Sequence, residues 1–160
     1  MDKAYEAVGR AIVAAQIFET VLIPIVELHR VHTEPSRLGH TKGCISAGAF
    51  KVPVANIVKF LHDRGSIAPD LETRLTAYIR DRHLLVHRWV QENPLPIDQE
   101  PETLVPLMEH AARVEREAND LARIFVGYVL KYAEPTWSTA HPDEFRSKMI
   151  ALFHGAHKET

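Results

Sequence analysis

The 160-residue sequence holds a single cysteine, Cys44, so no internal disulfide can form. Together with an acidic, non-secretory start (Met1-Asp2-Lys3), this predicts a reducing, cytoplasmic setting. Long hydrophobic runs are also missing. The longest apolar stretch, Ile12 to Leu28, is broken by Gln16, Glu19, Thr20 and Pro24, so no membrane span is expected. Nor is there an excess of one charge. Nineteen Lys+Arg against 21 Asp+Glu leave a net −2, which excludes the uniformly basic surface of a duplex-binding protein and confines any nucleic-acid site to a local patch. No alternating strand pattern, internal repeat or low-complexity tract occurs. With 46% hydrophobic and 25% charged residues, disorder is excluded and one globular domain over 1–160 is expected.

What is present is helical periodicity. Val8, Ile12, Ala15, Leu22 and Val26 recur at spacings of three and four, predicting one long helix over 4–32, kinked at Pro24. Residues 33–50 carry Pro35, Gly39, Gly43 and Gly48 and read as a connection with at most a short turn over 45–50. Pro53 opens a short helix over 54–64 that Gly65 stops. Pro69, Asp70 and Glu72 start a third helix that runs to Gln91, before Asn93-Pro94 and Pro96. A fourth spans about 101–132, with Leu104, Met108, Ala111, Ala118, Ala122, Phe125 and Val129 inward. Phe145, Met149 and Phe153 predict a terminal helix over 143–157. The fold class is therefore all-α: a single-domain antiparallel bundle of four to five helices, its core over about 4–132.

Several chemistries lack their residues. Gly39-His40-Thr41-Lys42-Gly43 does not end in the Gly-Lys-Ser/Thr of a phosphate loop, and there is no His-Glu-x-x-His or Glu-x-x-His for zinc or di-iron. His83 and His87 have metal-ligand spacing, but helix three offers no carboxylate on their face. No metal or other cofactor is expected. Of the ten histidines, His29, His32, His154 and His157 suit helix ends, and His40, His62, His110 and His141 have no suggestive partner. Arg113, Arg116 and Arg123 alternate with Glu115, Glu117 and Asp120 as on a salt-bridged outer face; Glu115, near the edge of the inner stripe, could assist Arg82 but reads as solvated.

One arginine is out of place. At about 100° per residue, Leu75, Tyr78, Ile79, Leu85, Val86 and Trp89 share one stripe of helix three, and Arg82 falls near its middle. An unpaired guanidinium there is costly and cannot shed its proton. Glu19 is the matching inward carboxylate of helix one, so Glu19 and Arg82 are expected to meet. His83 and His87 lie at the edge of the stripe with Arg80 beside them, which makes Arg80 to Arg88 the densest candidate chemistry in the chain.

Arg82-His83-Leu84-Leu85-Val86-His87 resembles the Arg-polar-x-x-x-His signature of the HEPN superfamily, all-α proteins that include ribonuclease toxins. The architectural resemblance covers roughly residues 4–132, and the motif six. It implies metal-independent RNA cleavage through the ribose 2′-hydroxyl at a cleft shared by a homodimer, in a toxin or defence component with an antitoxin or regulatory partner. On this resemblance His87 is the acid/base, Arg82 the phosphate stabiliser, His83 the orienting polar residue and Arg80 an auxiliary phosphate contact, with Glu19 in support. Arg82 and His87 stand about 140° apart on a regular helix, which convergence from two subunits would relax. Trp89 occupies the position where some members carry a tyrosine that an antitoxin modifies, so control by that route is not expected. The competing reading is a non-catalytic helical interaction module in which Arg82 and Glu19 form a structural ion pair.

Overall fold

A computed structural model describes residues 2–34, 51–93, 101–133 and 140–144. The turn expected over 45–50 and nearly all of the helix expected over 143–157 lie outside the described residues. Those described are mostly helical, without a β-strand: α1 (Asp2–Thr33), α2 (Val54–Asp63), α3 (Pro69–His83), a π-helical turn (Leu84–Arg88), α4 (Trp89–Glu92), a 3-10 turn (Pro101–Leu104) and α5 (Val105–Ala133).

The punctuation follows the sequence. Pro53 sits at the N-cap of α2 with φ −58°, and Pro69 at the start of α3, each where a missing N–H costs nothing. α2 stops at Gly65, whose φ of +59° is the left-handed conformation glycine adopts freely. Gly65 N–H donates to the His62 carbonyl and Ser66 N–H to the Leu61 carbonyl, a Schellman closure of the last turn. Pro24 lies inside α1 without ending it.

Three helices converge on Phe18, which is fully buried between Tyr78, edge-on at 5.3 Å, and Phe125 at 5.9 Å. Leu22, Leu75 and Leu121 are equally buried. Each such side chain contributes roughly 2 kcal/mol. Arg10 meets Glu115 and Phe18 meets Phe125, so positions rise together along α1 and α5 and these two long helices run parallel. α3 runs against both: Arg74 and then Asp81 meet Glu117 and then Arg113 of α5, while Leu71 lines one cavity with Ile25 and Val26 of α1 and Arg82 lines another with Ala11 and Ala15. An antiparallel relation therefore holds for α1 with α3 and for α3 with α5, but not for α1 with α5.

Of the positions expected inward, Ala15, Leu22 and Val26 on the first expected helix and Leu104, Ala111, Ala118 and Phe125 on the fourth are buried, and the buried stripes are wider than those seven. On α1, Val8 and Ile12 are half-buried, while Ala4, Ala7, Ala11, Ala14 and Ala15 face inward ahead of Phe18. On α5, Leu107, Val114 and Leu121 are buried, and Met108 and Ala122 only flank the core. The Val129 side chain lies outside the described residues. By length and composition Lys3–Glu27 of α1 is apolar enough to cross a membrane. Its alanine and Phe18 side is core in this fold.

Candidate functional site

The third helix is not a regular α-helix. Between Pro69–His83 and Trp89–Glu92 it widens into a π-turn over Leu84–Arg88, closed by i→i+5 bonds, within the stretch that carries the candidate chemistry. Each π residue advances less than the about 100° of an α residue, so the angle from Arg82 to His87 closes from about 140° to about 100°. Val86, expected in the apolar stripe, is 39% exposed, while Leu85 and Trp89 on either side of it stay buried.

Arg82 stands at the edge of the core rather than in its middle, with its side chain 34% exposed. Its Nη2 is 3.2 Å from Glu19 Oε1 across α1 and α3, which is the expected pairing. Its Nε is buried with no hydrogen-bond partner. Tyr78 lies alongside, its hydroxyl also buried without a partner. Burial, then the nearby Glu19 charge, pushes that phenol well above its usual range, while the Arg82 charge pulls it back.

Glu19, Tyr78, Arg82 and His83 line one open cleft of about 350 Å³. Its other wall is the entry to α2, with Lys51, Val52, Pro53 and Val54. Lys51 brings a second cation to the cleft that the sequence did not single out, because it belongs to no motif. His83 is exposed, and its ring centroid is 5.0 Å from that of His87, also exposed. Three of the expected residues thus form a series, with Arg82 and His83 in the cleft and His87 packed on His83 outside it.

Arg80 does not join them. It is exposed, and both its Nε and Nη2 donate to Asp81 Oδ1, so it does not line the cleft. Glu115 bonds Arg10 on α1 and has no contact with Arg82. The charges of α5 partly work between helices rather than along the outer face: Glu117 accepts from Arg74 and Asp81 pairs with Arg113, while Arg123 pairs with Asp120 on α5 itself.

His110 is the main omission. It is 4% exposed, with Nε2 2.8 Å from the Asp81 carbonyl oxygen, Nδ1 2.5 Å from Arg113 Nη2, and its ring 5.0 Å from Trp89. A signal was available, because His110 falls between Leu107 and Val114 at the spacings of the buried stripe. His62 likewise has a partner, Glu72, 2.9 Å from its Nδ1.

Among the described residues no three His, Cys, Asp or Glu side chains gather to hold a metal ion. The exposed His83–His87 pair has no third ligand there. No family model matches this chain, and neither a curated protein nor a solved structure matches it.

Proposed function

We propose that the chain is a HEPN-like, metal-independent endoribonuclease that cleaves RNA through the ribose 2′-hydroxyl. The observation that carries this reading is the series Arg82, His83, His87: a cleft-lining guanidinium, an imidazole beside it and a second imidazole in ring contact with the first. The π-turn supports it by narrowing the angle that a regular helix would put between Arg82 and His87.

In this reaction the imidazole of His87 takes the 2′-hydroxyl proton. The 2′-oxygen then bonds the adjacent phosphorus as the bond to the 5′-oxygen breaks, leaving a cyclic phosphate, and a protonated imidazole gives the leaving oxygen its proton. Arg82, held by Glu19, stabilises charge on the phosphoryl oxygens, with Lys51 as a further cation in the cleft. His83 orients His87. DNA, lacking the 2′-hydroxyl, is not cleaved. A homodimer supplies the second imidazole from the other copy, and the protein acts in the cytoplasm as a toxin or defence component with an antitoxin or regulatory partner.

Incubation of the purified protein with single-stranded RNA in chelator, beside His87→Ala, tests the proposal. Cleavage by the wild type and its loss in the variant is the expected result. Intact RNA over varied sequences, or a strict monomer by solution mass, overturns the shared-cleft ribonuclease. One observation favours the second reading, a non-catalytic interaction module: the Arg82–Glu19 pair spans α1 and α3 and needs no substrate to account for it. That reading requires Arg82 and Glu19 but leaves His87 free.

A further inference from the structure

The Asp81 carbonyl stands just before the π-turn and the Trp89 indole just after it, and one side chain, His110 of α5, holds both. A carbonyl only accepts, so His110 Nε2 carries the hydrogen and donates to Asp81. A guanidinium only donates, so Nδ1 is the acceptor from Arg113. The two contacts fix the ring as one neutral tautomer in one orientation. Arg113 closes the loop, its Nε 3.4 Å from the Asp81 carboxylate. The Asp81 carbonyl also takes the Leu84 N–H, which it shares with the Arg80 carbonyl at the mouth of the π-turn.

A π-turn is a wide and rare conformation, and nothing in Leu84-Leu85-Val86-His87-Arg88 itself calls for one, since the segment has no glycine or proline. Contacts from outside the helix must hold it. We infer that His110 is a positioning residue: by bridging the two ends of the π-turn it sets the stagger of His87 against His83 and Arg82. It touches no substrate and acts through the backbone at Asp81 and the ring of Trp89. The catalytic consequence rests on the ribonuclease reading; the clamp on the π-turn does not.

The test compares the full chain with His110→Phe, which keeps a ring against Trp89 but removes both nitrogens, and with His110→Gln, whose amide can donate to the Asp81 carbonyl. Amide exchange is followed by NMR at Arg88 and Trp89 against Leu75 and Tyr78 of the same helix, and kcat and KM are measured on single-stranded RNA. The Phe variant is expected to exchange about tenfold faster at Arg88 and Trp89 alone. Its kcat is expected to fall about tenfold with KM held within about twofold, and Gln to restore much of both. If the Phe variant does not fold by circular dichroism, Arg113→Met, which leaves the ring in place and removes its support, takes its part in the comparison. Unchanged exchange at Arg88 and Trp89 in a folded variant overturns the clamp. Faster exchange with unchanged kcat overturns the positioning role. Faster exchange in a chain whose wild type cleaves no RNA upholds the clamp and refutes the ribonuclease reading.

Discussion

Arg82 and Glu19 meet across α1 and α3 with 3.2 Å between Nη2 and Oε1, and each keeps about a third of its side chain in solvent. Breaking the pair strands a cation that cannot neutralise itself, at a site between the surface and buried limits. Glu19→Gln is expected to lower stability by about 1–2 kcal/mol, read from the urea midpoint. A double-mutant cycle with Arg82→Met should return a coupling energy of about 1 kcal/mol. A coupling indistinguishable from zero would show that the two side chains do not support each other in solution.

Tyr78 carries a hydroxyl that is buried without a hydrogen-bond partner, beside the same pair. Tyr78→Phe removes the stranded group and keeps the edge-on contact with Phe18. The variant is expected to be as stable as the wild type or up to about 1 kcal/mol more stable by thermal melting. A clear loss would mean that the hydroxyl has a partner in solution.

His62 at the end of α2 has its pKa raised by its hydrogen bond to Glu72 and then by the Glu72 charge. A folded value above the unfolded one means that the contribution is complete below about pH 6.5 and fades as pH rises through the raised value. NMR titration of the His62 ring should show Glu72→Gln lowering its pKa, with the stability difference between the two proteins disappearing at alkaline pH. Equal pKa values in the two proteins would dissolve the pair.

Gly65 is the one described glycine at positive φ, and an added Cβ meets nothing within 4 Å. The cost of Gly65→Ala is therefore conformational alone, about 1 kcal/mol, visible as a lower melting temperature without loss of helicity. A larger loss would indicate that the Schellman closure itself had come apart.

Deleting Val86, an exposed residue of the π-turn, removes the one extra residue that distinguishes a π-turn from an α-turn. A continuous α-helix from Pro69 to Glu92 is expected, with Trp89 still in the core and stability held within about 1 kcal/mol. RNA cleavage, if the ribonuclease proposal is right, is expected to be lost because His83 and His87 are re-phased. Full activity in a folded deletion protein would remove the π-turn from the mechanism.

These tests fall on features that differ in how plainly the chain announces them. The helix boundaries at Pro53, Gly65 and Pro69 are legible because backbone covalent geometry decides them locally. The Glu19–Arg82 meeting is legible because two opposite charges on two inward faces have few other places to go. The π-turn is not, since a wheel advanced by a constant angle has no means of registering one extra residue. The role of His110 is not legible either, because Asp81, Arg113 and Trp89 assemble around it only when α5 lies against α3 and α4. The parallel run of α1 and α5 likewise rests on contacts between residues about a hundred positions apart, such as Arg10 with Glu115 and Phe18 with Phe125.

The alanines of α1 have a consequence for how the energy of that helix is shared out. Ala4, Ala7, Ala11, Ala14 and Ala15 let α5 come close but remove little apolar surface from water, and a cavity of about 130 Å³ remains beside Ala11 and Ala15. Phe18, Leu22, Ile23, Ile25 and Val26 carry most of the burial instead. The helix is thus anchored from its middle onward, and its first four turns form an arm held by small contacts. That arm is expected to open at lower cost than the rest of α1, which limited proteolysis would show as cleavage before Phe18 ahead of cleavage after it.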